Sequence, residues 1–256
     1  SRVGENGPMK AMVLAAGLGT RLRPLTNDRP KALVEVNGHT LLELTLTRLR
    51  QFGVNKVIIN VHHFSELLVE YLAANNNFGM TIEISPENVL LDTGGGLKKA
   101  AHFFLRNGGS EDEPFILHNV DVISTIDLGR MLKFHCENNA LATLAVQERK
   151  TARYLLFDES GWLCGRRSQD GKTEQVRAGS NPQALAFCGV HVISPRFLKL
   201  MSEEGVFSIL QPYLRVAGAG EKILGFRADE YYWKDLGKPE NLEEAERDVT
   251  MGRVLL

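Results

Sequence analysis

Two cations stand beside a glycine loop where phosphate chemistry would need them. The loop is Leu14-Ala15-Ala16-Gly17-Leu18-Gly19-Thr20-Arg21-Leu22-Arg23-Pro24-Leu25-Thr26, and Arg29-Pro30-Lys31-Ala32-Leu33 follows it. Glycine amides approach phosphate oxygens without interference from a Cβ. Arg21 offers a planar fork for phosphate oxygens and Lys31 a compact charge. Two carboxylates complete the inventory. Asp121 ends the segment Leu117-His118-Asn119-Val120-Asp121, and Asp235 lies in Tyr232-Trp233-Lys234-Asp235-Leu236-Gly237-Lys238-Pro239. A second glycine segment, Leu90-Leu91-Asp92-Thr93-Gly94-Gly95-Gly96-Leu97, precedes a helical pattern, and amides at a helix start suit an anion or a carbonyl edge.

Familiar alternatives fit poorly. A dinucleotide fingerprint needs a third glycine where Leu22 stands, and a Walker loop needs Gly-Lys-Ser/Thr where the chain has Gly19-Thr20-Arg21. Taken singly, the glycines make a tight turn, the cations are solvated, and either aspartate is a cap or turn residue. The full pattern is far more specific than its parts. Gly17-Leu18-Gly19-Thr20-Arg21-Leu22-Arg23-Pro24-Leu25-Thr26 with Pro30-Lys31-Ala32-Leu33 resembles the signature of the sugar-1-phosphate nucleotidyltransferases.

That resemblance implies a division of labour. The loop, with Ala15, Ala16, Gly17, Gly19 and Thr20, wraps a nucleoside triphosphate. Arg21 holds the outer phosphates, and Lys31 binds and activates the α-phosphate. Asp121 and Asp235 match the family's metal pair and imply Mg²⁺, a hard cation bound by carboxylates and substrate phosphates. Gly94 and Gly95 match a loop that reads the base together with backbone around Ala15 and Gly17. Asn119, Tyr154 and Gly189 are the candidates for the sugar. Val120 departs from the glycine common at that position, which bears on the sugar more than on the metal. The Leu-Asp-Thr-Gly-Gly-Gly form resembles the uridylyltransferases acting on N-acetylmuramic acid 1-phosphate. Guanylyltransferases for mannose or heptose phosphates share most of these segments. A non-catalytic nucleotide-sugar sensor would be expected to lose Lys31 or an aspartate, and a non-sugar acceptor such as a choline phosphate is a further alternative.

These residues need a scaffold that delivers them to one edge. Apolar runs at Lys10–Ala16, Lys56–Val61, Met80–Ser85 and Pro114–His118 alternate with helical patterns at Leu42–Leu49, Phe64–Ala74, Leu97–Leu105 and Asp127–Asn138. Thr40-Leu41-Leu42-Glu43 has capping-box spacing, and Gly53 can end that helix. Such alternation predicts a Rossmann-like α/β fold, a mixed and mainly parallel sheet with helices on both faces and ligands beyond the strands' carboxyl ends. After Ala140 strands are expected at Leu141–Val146, Tyr154–Phe157, Trp162–Gly165 and Leu185–Val192, with later ones at Ile223–Phe226 and Tyr231–Trp233. Helices are expected at Pro195–Met201 with Ser194 as cap, at Ser208–Val216 and at Pro239–Val249. With no repeat or linker, residues 9–256 read as a single nucleotidyltransferase domain. Ser1 to Pro8 read as a disordered arm or an expression scar.

Composition sets the outer limits. Thirty basic and 31 acidic residues among 256 leave a formal charge of −1, so no basic field advertises nucleic acid or a membrane surface. No apolar run approaches the roughly 18 residues of a membrane span. Cys136, Cys164 and Cys188 form no CxxC, which fits a reducing cytoplasmic setting without a zinc site. A monomer or small homo-oligomer is expected. His62-His63 lack a third ligand at suitable spacing and read as structural or solvated. Arg166-Arg167 could meet an anionic substrate group, though a surface pair is commoner, and Glu111-Asp112-Glu113 reads as a solvated loop.

Overall fold

The computed structural model describes residues 9–106 and 113–255. The N-terminal arm, together with Glu111 and Asp112 of the acidic run, lies outside the described residues. In chain order the elements are β1 (Met9–Leu14), β2 (Glu35–Val36), β3 (His39–Thr40), α1 (Leu41–Gln51), β4 (Val54–Val61), α2 (Ser65–Ala74), β5 (Thr81–Pro86) and α3 (Asp92–Leu105). There follow β6 (Phe115–Asn119), β7 (Val122–Ser124), α4 (Leu128–Glu137), β8 (Ala142–Gln147), β9 (Tyr154–Phe157), β10 (Leu163–Arg167), β11 (Thr173–Gln175) and β12 (Gln183–Ile193). The chain closes with α5 (Arg196–Leu200), α6 (Leu210–Gly218), β13 (Ile223–Arg227), β14 (Trp233–Asp235) and α7 (Pro239–Thr250). Two compact units emerge, one of residues 9–91, 117–126 and 231–255, the other of 92–106, 113–116 and 127–230.

The first unit carries the parallel sheet. β4 pairs in parallel with both β1 and β5, with Val13 opposite Ile59 and Ile59 opposite Ile84. The residues Val57, Ile58 and Ile59 are fully buried, which is why the run is apolar without alternation. Parallel pairing sets the ends of β1, β4 and β5 along one edge, so the segments after Leu14, Val61 and Pro86 leave from the same side. Thr40 caps α1 as expected, its Oγ1 accepting from the Glu43 amide at 3.0 Å. Leu41, Leu42, Leu46 and Leu49 make its buried face, and Gly53 follows at φ 90°. Strand pairing that the sequence pattern does not announce completes this unit. β7 pairs antiparallel with β14, setting Asp235 opposite Val122 and Trp233 opposite Ser124. The last strand therefore contains Asp235, whereas the apolar pattern predicts a strand over Tyr231–Trp233 with the aspartate after it.

The second unit is built on a mixed sheet. β8 pairs with β12 antiparallel and with β13 in parallel, while β12, β9, β10 and β11 continue as antiparallel neighbours. The α/β class is thus the expected one. Two local readings change. α3 begins at Asp92, so the glycines lie in its first turn rather than in a loop before Leu97. Ser194 does not cap α5, because its Oγ donates to the Ala140 carbonyl at 3.0 Å and faces His135 Nε2 at 2.8 Å. Among the described residues no helix is long and apolar enough to cross a membrane.

His135 is 2% exposed, and its bonds fix its tautomer. Ser194 Oγ spends its proton on Ala140, so it accepts from Nε2–H. Nδ1 then accepts from Thr143 Oγ1 at 2.8 Å. Burial pushes the His135 imidazole down to about 4, and likewise that of His118 in the other unit. Both folded values lie below the ordinary 6.5, so between those limits the unfolded chain binds more protons. Stability is therefore lost as pH falls from 6.5 toward 4, approaching about 1.4 kcal/mol per pH unit for each histidine. Urea unfolding between pH 5 and 7 measures that slope, and His135→Gln is expected to remove one histidine's share of it.

Candidate active site

The glycine loop leaves β1 and is closed by its own sequence. Gly19 sits at φ 65°, a left-handed conformation, and its carbonyl accepts from Thr26 Oγ1 at 2.7 Å. A 3₁₀ turn over Thr20–Leu22 buries Leu22 and leaves Arg21 exposed. A second, over Lys31–Leu33 after Pro30, buries Ala32 and turns Lys31 back to the loop. The Lys31 Nζ lies 3.0 Å from where a Cβ on Gly17 would stand. A side chain at position 17 would press the ammonium aside by a few tenths of an ångström.

The same ammonium lies 3.0 Å from Asp121 Oδ2, with both side chains 15% exposed. Arg21 Nη2 lies 3.8 Å from Asp235 Oδ2. The β7–β14 pair brings the aspartates together. The Leu236 amide donates to the Asp121 carbonyl at 2.7 Å, and the Gly237 amide donates to Asp235 Oδ1 at 2.8 Å. Asn241 Nδ2 donates to the Asp235 carbonyl at 2.7 Å. Gly237 is the meeting point. A Cβ placed on it would lie 2.7 Å from Arg21 Nη2, 2.9 Å from Asp235 Oδ1 and 3.1 Å from Asp121 Oδ2. Two carboxylates and a guanidinium thus converge on the space of one absent methyl, with Lys31 on Asp121. Oxygen donors so disposed fit a hard divalent cation shared with phosphate oxygens. Among the described residues no group of three or more His, Cys, Asp or Glu forms an alternative centre.

The other predicted residues are placed as follows. The Ala15 amide is taken by Asn60 Oδ1 at 2.7 Å. Asn119 ends β6, and its Oδ1 is buried with no hydrogen-bond partner among the described residues. Beside it His118 is buried, with Nδ1 2.7 Å from the Asn119 carbonyl. Gly94, Gly95, Tyr154 and Gly189 belong to the second unit. The Gly94 and Gly95 amides donate to the Phe207 carbonyl at 3.0 and 3.2 Å, and a Cβ on Gly94 would meet the Phe207 ring at 2.4 Å. What those glycines approach is Phe207. Gly189 lies at φ 72° where the register of β12 against β8 shifts. The Tyr154 hydroxyl accepts from the Thr151 amide at 3.2 Å.

Several other chemical groups among the described residues are paired or buried. Arg166 pairs with Glu174 at 2.8 Å, the surface-pair reading. His62 Nδ1 lies 2.7 Å from the Glu87 carbonyl. Cys164 and Cys188 are buried, and burial pushes the Cys188 thiol up to about 12. Asn60, Glu87 and Gly237 were not singled out from sequence. The first two carried the signal that marked Asp121, a polar residue where an apolar strand ends.

Residues 10–155 match the family model described as nucleotidyl transferase. The chain belongs to the nucleotidyl transferase family. Across 247 residues it is 36% identical to the N-acetylmuramate alpha-1-phosphate uridylyltransferase of Caulobacter vibrioides, covering 92% of this chain and 95% of that one. The mannose-1-phosphate guanylyltransferase of Mycobacterium tuberculosis is 30% identical over 252 residues; the match takes in 94% of this chain but spans only 65% of the relative's length. In fold the chain matches the crystal structure of HddC from Yersinia pseudotuberculosis complexed with GMP-PN, at TM-score 0.74 and 20% identity over 94% of this chain and 99% of that one. Membership makes the chain a nucleotidyltransferase, and the charged cluster of the first unit is its candidate catalytic centre.

Filling the gap at Gly237 tests that assignment. Gly237→Ala places a methyl group against all three charged atoms at a backbone angle an L-residue tolerates. Turnover is expected to fall at least about a hundredfold, the scale of losing one aligned transition-state contact, while the midpoint of thermal unfolding moves by no more than about 4 °C. Steady-state kinetics and a melting curve check both.

Proposed function

We propose that the chain is a Mg²⁺-dependent sugar-1-phosphate nucleotidyltransferase whose substrates are UTP and N-acetylmuramate 1-phosphate. The observation that carries the reading is the convergence of Arg21, Asp121 and Asp235 on Gly237, with Lys31 bonded to Asp121. Identity with the Caulobacter vibrioides uridylyltransferase over nearly the full length of both chains supports the choice of base and sugar. The buried, unpartnered Oδ1 of Asn119, two residues before Asp121, supports a polar contact to the acceptor.

In this reading an oxygen of the sugar phosphate attacks the α-phosphorus of UTP in line. A new P–O bond forms as the bond to the β-phosphate oxygen breaks, and pyrophosphate leaves with that electron pair. The attacking phosphate is already anionic, so the protein supplies no nucleophile and needs no general base. Its task is alignment and charge neutralisation. Lys31 meets the charge that builds on the α-phosphate, and Arg21 holds the departing pyrophosphate. Asp121 and Asp235 would hold Mg²⁺, which supplies Lewis-acid neutralisation of the phosphates. The enzyme would work in the cytoplasm as a monomer or small homo-oligomer, without nucleic acid or membrane.

A pyrophosphate-release screen with Mg²⁺ tests the reading. It crosses UTP, GTP, CTP and dTTP with the 1-phosphates of N-acetylmuramic acid, mannose, glucose and heptose. Release is expected with UTP and N-acetylmuramate 1-phosphate, and only when both are present. Guanylyl transfer to mannose or heptose would replace the substrate assignment, and silence across the panel would overturn the reaction. Asp121→Ala and Asp235→Ala are each expected to lower turnover at least about a hundredfold with the fold retained. Near-normal activity of either folded variant would remove it from the metal pair.

A further inference from the structure

Two buried polar side chains outside the charged cluster tie together the segments that leave β1 and β5. Asn60 near the end of β4 and Glu87 just past β5 are each 3% exposed. Asn60 Oδ1 accepts from the Ala15 amide at 2.7 Å, and its Nδ2 donates to Glu87 Oε2 at 2.9 Å. Glu87 Oε1 accepts from the Leu91 amide at 3.0 Å. The Glu87 backbone is fixed as well, its amide donating to the Val61 carbonyl at 2.8 Å. The Leu14–Ala15 peptide is gripped from both sides, because the Leu14 carbonyl accepts from the Val120 amide at 3.1 Å.

A buried carboxylate is a demanding choice for a loop pin, since each oxygen must find a donor. Here each oxygen meets an uncharged N–H, and the two donors serve different segments. The relay orders Ala15–Asn60–Glu87–Leu91, with donor facing acceptor at every joint. Neither segment brings a cation at these joints. With both amides taken up by the relay, what Ala15 and Leu91 can still present to a nucleotide is backbone carbonyl, a neutral acceptor that suits a base or ribose edge. The phosphates are left to Arg21 and Lys31.

Resting on the nucleotidyltransferase reading, we infer that Asn60 and Glu87 are positioning residues for the nucleoside part of the triphosphate. By fixing the Ala15 and Leu91 amides, they set the affinity for base and ribose but not for the phosphates.

The relay has a specific repair. In Glu87→Gln the new amide must point a donor at either Asn60 Nδ2 or the Leu91 amide. In Asn60→Asp two carboxylates face each other. Combining the two substitutions puts a carboxylate at position 60 and a carboxamide at position 87. That carboxylate accepts from the Ala15 amide and from the carboxamide's N–H, while the carboxamide oxygen accepts from the Leu91 amide. Every joint is again matched.

Calorimetric titration of wild type and the three variants would use UTP, GTP, CTP and dTTP, and separately inorganic pyrophosphate. Each single variant is expected to weaken the preferred triphosphate at least about tenfold, the scale of one unsatisfied buried polar group, and pyrophosphate less than about threefold. The double variant is expected to return to within about threefold of wild type for the triphosphate. Unchanged single variants, equal losses for triphosphate and pyrophosphate, or a double variant that stays weak, folded or not, would overturn the inference alone. A wild-type chain that binds none of the four triphosphates would overturn the functional reading and this inference with it.

Discussion

Holding two carboxylates against each other is the constraint on which the rest of the site depends. Asp121 and Asp235 turn oxygens toward the space that a single methyl on Gly237 would fill. Like charges at such spacing repel unless opposite charge or bound cation offsets them. Lys31 and Arg21 provide that offset within the protein. The backbone clamp between Leu236 and Asp121 keeps the pair from drifting apart. The glycine loop lets the lysine approach closely, its ammonium lying beside Gly17. Loop, cations and carboxylates are therefore one assembly, and a change at any of them alters the charge balance felt by the others.

Much of this was legible because residue type announces chemistry. The alternating strands and helices of the first half followed from apolar periodicity, and the cap on α1 from Thr40 and Glu43. Lys31, Arg21 and the two aspartates were legible from the loop pattern and from polar residues that follow apolar runs. The pairing that unites them was not. β7 and β14 are three residues each, too short for a period to register, and their stability comes from pairing with each other. Hence the apolar pattern sets Asp235 after a strand that in fact contains it. Ser194 illustrates a different limit. A serine before a proline has the spacing of a cap, but buried His135 competes for its hydroxyl, and the tertiary bond wins.

The second glycine segment shows how one composition supports two physical accounts. Three consecutive glycines imply that something approaches the backbone closely. In the structure that neighbour is Phe207, whose ring fills the space a Cβ on Gly94 would need and whose carbonyl takes two of the amides. Sequence distinguishes poorly between a ligand and an aromatic ring far away in the chain, because both select against a side chain. Asn60 and Glu87 are the converse case. Their sequence signal equalled that of Asp121, yet no motif drew attention to them, and only their bonds show what they join.

The β7–β14 pair also governs when, in the life of the chain, the charged cluster can be assembled. Lys31 and Asp121 emerge in the first half of synthesis, along with β1, β4 and β5. The chain then builds residues 127–230, the larger part of the second unit, before it returns with Trp233–Asp235 to close against Val122–Ser124. Until that return the first carboxylate has its lysine but not its companion, and the arginine has no aspartate to face. A nascent chain can fold most of its apolar core and still carry a half-built charge cluster. The cluster is complete only with one of the last strands made, so a ribosome that stalls before it leaves a chain without Asp235.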